Sequence, residues 1–308
     1  MSAGHPTLLG LDFSCAPTRR KPLTLAQGVR AGHAVKLLGL EALPSLDEWA
    51  ERLRPAGMAA AGWHHGLVMG CDFPFGLPRP FVQALAVHGP GEAFARLRDA
   101  STPLAECDRL IDALHAHCGD RAGFQRLIDG WGQTWDTPRP AGSKLLHRAT
   151  DRAVPGLSST SPLQTRYVPV GKMYFEGMKR LVDADVSLPG LRTGRFDAIA
   201  LEAYPGLLAG EILGRRSYKS ETDATPERLI ARLDLIDALE QGRTRLGLRL
   251  KLTPAQRDHL AADPKGDRLD AVLCLMQAAW AQAQHQAGAT RWGLSPDLDP
   301  VEGWILTA

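Results

Sequence analysis

This sequence lacks any pairing among its cysteines. Cys15, Cys71, Cys107, Cys118 and Cys274 are odd in number, widely scattered and free of CxxC spacing, which argues against a disulfide framework or a cysteine-rich zinc site. Such usage fits a reducing compartment, so a cytoplasmic location is expected. No uninterrupted apolar run is long enough to span a bilayer. The N-terminus shows no basic stretch leading into an apolar segment and cleavage site, so no membrane partner is expected. A dominant charge is also missing: 36 Lys and Arg against 34 Asp and Glu leave only +2. Contacts with nucleic acid would therefore rest on local basic patches rather than on a global field. Aromatic residues make up only 6%, too few for a broad base-stacking platform. No GxxxxGK[ST] phosphate loop occurs.

What is present is an ordinary core-forming composition, 44% hydrophobic and 23% charged over 308 residues, enough for one large domain or two small ones. "LLGLDF" reads as a short buried strand ending on Asp12. "LAQGVRA" and "HAVKLLGLEAL" read as two further strands with a turn at Gly32. "SLDEWAERL" carries Ser45 and Glu48 at capping-box spacing ahead of helical apolar positions. "GLVMGCDFPFGLP" gives a second buried strand ending on an acid, Asp72. Residues 79–131 have helical periodicity and no strand signal, whereas 132–169 are rich in Pro, Gly, Ser, Thr and Arg and read as a long loop. A helix over "GKMYFEGMKRLVDA" follows, then "RFDAIALEAYP", a third strand ending on an acid, Glu202.

Pro205 starts the next helix. Thr225, Pro226 and Gly242 bracket another, and "TPAQRDHLAAD" repeats that start signature. "GDRLDAVLCLMQAAWAQAQHQAG" is the strongest helical segment, closed by Gly288, and "EGWILTA" reads as a last strand or an extended strap. The expectation is one α/β domain over 1–308, with a helical insertion at 79–131 and a long loop at 132–169.

The acids form a pattern. Asp12, Asp72 and Glu202 each close a predicted strand, and ligands of α/β sheets gather at the carboxyl ends of strands. Asp267 and Asp270, three apart, share one face in the first turns of a helix. Carboxylates crowded together raise one another's pKa unless a cation neutralises them. Oxygen ligands without His or Cys suit Mg²⁺ or Mn²⁺ rather than zinc, and two such ions serve in-line displacement at phosphorus. Singly, each acid has a plainer explanation. Asp12 before Phe-Ser and Asp72 before Phe-Pro can cap tight turns, Glu202 can cap the helix at Pro205, and Asp267 suits a helix start. Asp270 resists this, since it enters the apolar face of a helix where an unpaired carboxylate is costly.

Taken together, "GLDFSCAP", "GCDFPFGLP", "LEAYPG" and "DRLDAVLCLMQAAWA" resemble the family known as domain of unknown function 429, predicted nucleases of the RNase H-like superfamily. The resemblance spans Leu8 to about Trp304. It implies a five-stranded mixed sheet flanked by helices, with an acidic metal site at the strand ends. Holliday-junction resolvases of that superfamily carry an acid on the first strand, a Glu on the fourth and a DxxD pair on the last helix. Asp12 matches the first position, and Asp267 and Asp270 match the pair. Glu202 matches the fourth-strand Glu, with Asp72 an additional acid; alternatively Asp72 is the fourth-strand ligand and Glu202 is auxiliary.

The reading that results is a metal-dependent phosphodiester hydrolase with catalytic Asp12, Asp72, Glu202, Asp267 and Asp270. Asp12, Glu202, Asp267 and Asp270 would hold the Mg²⁺ or Mn²⁺. The substrate would be a nucleic acid or a small phosphodiester, with Arg216, Lys219 and Lys172 near the phosphate. Arg19, Arg20, Lys21, Arg166 and Lys179 add local positive charge, and Tyr167, Tyr174 and Phe175 could stack bases. His64, His65, His115 and His117 lack metal spacing and read as surface or core residues. Two alternatives stand beside this. An actin-like or kinase-like ATPase also begins with a strand ending on Asp, but it needs glycines beside the phosphate, and Phe-Ser-Cys-Ala-Pro follows Asp12. A metal-binding protein of the same fold without turnover is the other.

Overall fold

The apolar run Thr7–Asp12 forms β1, the centre of a mixed sheet. The computed structural model describes residues 5–98, 105–135, 138–139, 146–155 and 159–308. β2 (Leu23–Ala31) and β3 (Ala34–Leu43) turn at Gly32, whose φ of 58° suits a residue without a Cβ. Next come α1 (Leu46–Leu53), α2 (Pro55–Ala60) and β4 (Leu67–Cys71). The block from residue 79 is helical as its periodicity requires, with α3 (Arg79–His88), α4 (Glu106–Cys118) and α5 (Arg121–Gly130). Of the segment read as a long loop, 136–137, 140–145 and 156–158 lie outside the described residues; the rest holds one 3-10 turn, Thr150–Arg152. The chain continues with α6 (Val170–Asp183), β5 (Val186–Ser187), β6 (Arg195–Glu202), α7 (Pro205–Leu213) and α8 (Pro226–Gln241). It closes with β7 (Arg249–Lys251), α9 (Pro254–Ala261) and α10 (Asp267–Gln286).

Local chemistry sets the helix ends. The Thr225 hydroxyl accepts from the Arg228 N–H, and Gly242 ends α8 in the left-handed region at φ 70°. Thr253 and Gln256 make a full capping box at α9. At α1 only half of the expected box forms: Ser45 accepts from the Glu48 N–H, while the Glu48 carboxylate lies 3.9 Å from Arg52.

The seven strands run in the order β5-β6-β4-β1-β2-β3-β7. β2 is antiparallel to both neighbours, whereas β1, β4 and β6 are mutually parallel. Each face of the sheet packs its own core. Leu9, Leu11, Met69, Cys71, Ala198 and Ala200 point to the side of α1 and α3–α6, and Leu8, Val68 and Leu201 to the side of α7–α10. The two-residue β5 and three-residue β7 are too short for their periodicity to be read from sequence. The tail is a strap and not a strand: the Leu306 N–H donates to the Glu202 carbonyl at 2.9 Å, and Gln277 Nε2 donates to the Leu306 carbonyl at 3.0 Å.

The feature that positions the site is a pair of glycines. Gly10 and Gly70 oppose one another across β1 and β4, and α10 lies directly on them. A Cβ at Gly10 would fall 2.1 Å from the Ala271 carbonyl oxygen, and one at Gly70 would fall 2.4 Å from that of Cys274. Both are backbone atoms that cannot swing aside. Gly10→Ala and Gly70→Ala are each expected to cost more than the ~1–3 kcal/mol of ordinary core overpacking, because the helix must move as a body. Denaturant melts of the two variants measure this, and a loss below 1 kcal/mol in either would show that α10 is held elsewhere.

Candidate metal centre

Residues alternate across a strand, so the residues two beyond Gly10 and Gly70 face the same helix. Those residues are Asp12 and Asp72. Asp270, in the first turn of α10, comes down over them, and single oxygens of Asp12, Asp72 and Asp270 all lie within 4.8 Å of one another. Asp270 is 1% exposed, while Asp12 and Asp72 keep partial exposure.

Two neighbouring residues from the segment after α7 answer this negative charge. The Tyr218 hydroxyl donates to one oxygen of Asp270, and the Lys219 ammonium pairs with the other. Tyr218 is buried, and the Lys219 side chain is 45% exposed. Burial and then Asp270 push the Asp72 carboxyl up to about 7, with Lys219 acting against them. Asp12 is raised well above its ordinary range by burial, then by Asp270 and Asp72. Burial also raises Asp270, against the pull of Lys219 and Tyr218. Burial pulls Lys219 down, but Asp270 and Asp72 outweigh it and hold the ammonium above its usual value. One lysine thus faces three carboxyls that resist ionisation together.

Not all the sequence candidates meet here. Asp267 is the first residue of α10, where it is partly buried, and burial followed by Asp263 raises its pKa. Glu202 is opposite Cys71 in the pairing of β4 with β6, so it shares the parity of Cys71 and leaves the sheet on the other face. There Arg148 grips it with two bonds, of 2.6 and 2.8 Å, and the Phe75 N–H donates to it at 2.9 Å. Arg148 also holds Asp151 at 2.9 Å, and all three side chains are nearly fully buried. Burial raises Glu202, with the Arg148 pair opposing. The strand-end acid grouped with Asp12 is therefore Asp72, and Glu202 is neutralised by a cation of its own.

The expected cations are dispersed. Lys219 is at the cluster. Arg216 is paired to Asp234 at 2.6 Å on the surface, and Lys172 opens α6 within electrostatic reach of Cys15. Arg166 pairs with Asp129 and Lys179 with Asp183. Lys21 pairs with Glu221. Tyr174 and Phe175, read from sequence as able to stack bases, are both 1% exposed in the core, because the apolar stripe of α6 faces inward; only Tyr167 is open to solvent. His64 and His65 are exposed, and His115 stacks on Phe175, in keeping with their surface and core reading. Sequence reasoning passed over Tyr218 and Arg148. An aromatic inside "RRSYK" is a faint signal for the first, and nothing local marks the second.

The donor set fits a hard divalent cation: three carboxylates from three elements, with oxygen donors only. Cys274 lies on the same side of the sheet and Cys71 on the opposite face, and burial raises both thiols well above their usual value, so they remain protonated. A cleft of about 220 Å³ opens beside the cluster, lined by Asp72, Lys219, Arg148, Tyr204, Val168, Val170 and Met173 among others. Comparison with protein-family models, with curated proteins and with solved structures found no match. No helix among the described residues is long and apolar enough to cross a membrane.

The electrostatics set a pH dependence. A carboxyl whose folded pKa is raised holds its proton more tightly in the folded chain than in the unfolded one. The stability this brings is complete below the unfolded value near 4 and is lost as pH rises through the folded value, about 7 for Asp72. Cation-free protein is therefore expected to melt at progressively lower temperature as pH climbs from 4 to 8. Added Mg²⁺ or Mn²⁺ should raise Tm more at pH 8 than at pH 5; equal shifts at both would contradict the cluster's role. Glu202→Gln tests the other acid. It should cost about 1–3 kcal/mol, since Asp151 still holds Arg148, and calorimetric Mn²⁺ titration should show unchanged affinity. A Glu202→Gln protein that lost the ion would return Glu202 to the ligand set.

Proposed function

We propose that this chain is a divalent-cation-dependent phosphodiester hydrolase, a nuclease of RNase H-like type. The observation that carries this reading is the convergence of Asp12, Asp72 and Asp270 at the carboxyl ends of parallel strands. Support also comes from the strand pattern. Counted in chain order, the acids stand on the first strand, at the end of the fourth and at the start of the last helix, the arrangement implied by the resolvase-like members of that superfamily. The order β3-β2-β1-β4-β6, with only β2 reversed relative to its four mutually parallel companions, matches the central five strands that the resemblance to domain of unknown function 429 implies. β3 lies parallel to β7 at the outer edge.

Within this reading Asp12, Asp72 and Asp270 hold Mg²⁺ or Mn²⁺, with Asp267 close by on the same helix turn. The bound cation supplies charge neutralisation and polarises the phosphoryl group. The chain's own residues do the rest. The Tyr218 hydroxyl fixes the rotamer of Asp270. Lys219 offers an ammonium, on a half-exposed side chain, to a non-bridging phosphate oxygen. The apolar walls of the cleft limit water around the reacting group.

The test is a cleavage screen in Mg²⁺ and in Mn²⁺ over single-stranded, duplex, hybrid and branched substrates and free nucleotides, comparing wild type with Asp12→Asn. Cation-dependent product is expected from the wild type, with a loss of at least about 100-fold in the variant. Full activity in Asp12→Asn would sink the site assignment. ATP consumption without phosphodiester cleavage would favour the kinase-like alternative, and cation binding without any turnover the non-catalytic one.

A further inference from the structure

The carboxylates are recessed. Asp270 is 1% exposed, and Asp72 lies in the wall of the 220 Å³ cleft and not on an open face. A phosphate must therefore descend into the cleft to reach them. The cleft is lined by apolar Val168, Val170 and Met173 and by Tyr204, with Lys219, Arg148, Ser159 and Thr160 as its polar members beside the acids. At its rim Val168 is 57% exposed and the neighbouring Tyr167 is 98% exposed. Tyr167 has φ 61°, a backbone region that a bulky side chain adopts only at a cost. Its ring, almost wholly exposed, has no packing that would repay the cost, and it directly precedes the cleft-lining Val168. Asp267 lines a second groove of about 380 Å³, of mixed charge, in which Arg20, Lys265 and Arg268 are balanced by Glu41, Asp263 and Asp267 itself.

Resting on the hydrolase reading, we propose that the substrate is an unpaired nucleotide. Its base enters the cleft along the Val168, Val170 and Met173 side and stacks at Tyr167, and its phosphate meets Asp72 and Lys219. A base held in a continuous stack cannot bring its phosphate down past the projecting Tyr167 and Val168, whereas a base free of its partner can. The aromatic face provides stacking that tolerates any base. The shared chemistry is a nucleoside phosphate, from a single strand or free in solution.

The experiment is binding, read apart from turnover. Fluorescence anisotropy in Ca²⁺ compares a labelled oligothymidylate, the same strand in duplex and competition by free TMP. Wild type, Tyr167→Gly and Met173→Trp are tested, and each is also titrated with Mn²⁺ by calorimetry. The single strand is expected to bind at least about tenfold more tightly than the duplex, and Tyr167→Gly to weaken it by about tenfold. The same substitution should raise Tm, because glycine accepts the positive φ freely, and should leave Mn²⁺ affinity unchanged. Met173→Trp should block the cleft with the same selectivity. TMP competing as strongly as the strand would support a free nucleotide as the source. Equal binding of duplex and single strand, or full affinity in Tyr167→Gly, would overturn the inference, as would intact Mn²⁺ binding with no nucleotide bound at all. Failure of the wild type to bind Mn²⁺ would bring down the hydrolase reading itself.

Discussion

Everything at the candidate site follows from how closely α10 lies on the sheet. Gly10 and Gly70 remove the two side chains that would hold it off, and the backbone of Ala271 and Cys274 takes their place. On the same face Leu8, Val68, Leu201, Leu269 and Val272 belong to one buried apolar core. The consequence of the close approach reaches two residues further along each strand, where Asp12 and Asp72 emerge on the same face and meet the first turn of the helix. The register of one strand pair thus fixes the spacing of three acids.

The two buried acid groups on the opposite faces of the sheet show contrasting solutions to one problem. Glu202 is fully answered: Arg148 binds both its oxygens, Asp151 shares the guanidinium and a backbone N–H completes the set. This arrangement is finished, and it joins the 146–151 segment to the end of β6. The cluster under α10 is unfinished, with one ammonium and one hydroxyl set against three carboxyls. Native proteins leave local rules unmet mainly where function requires it, and this contrast within one molecule directs attention to the second cluster.

Much of this was legible in the sequence. The strand ends at Asp12, Asp72 and Glu202, the caps at Ser45, Thr225 and Thr253, and the helical block after residue 79 all follow from patterns spanning a few residues. The site was legible as a set of acids but not as a geometry. "LLGLD" and "AIALE" look alike, each an apolar run ending on an acid after leucine, yet the two acids point to opposite faces. A shift of one residue in register reverses every side chain, and register belongs to strand pairing, which no short window of sequence contains. Arg148 was invisible for the same reason, since its partner is on a strand 54 positions away. Tyr174 and Phe175 show the reverse error: neighbouring basic residues suggested a surface that the inward stripe of α6 does not provide.

The pairing of β1 with α10 also has a consequence in time. Asp12 and Asp72 leave the ribosome with most of the sheet's central strands, well before Asp270, which belongs to α10. Domains form as their segments emerge, so the early strands can pair while the trough over Gly10 and Gly70 stays open. A nascent chain therefore carries two of the three clustered carboxyls without the third. Whatever chemistry the cluster performs is withheld until α10 has emerged and packed onto the trough.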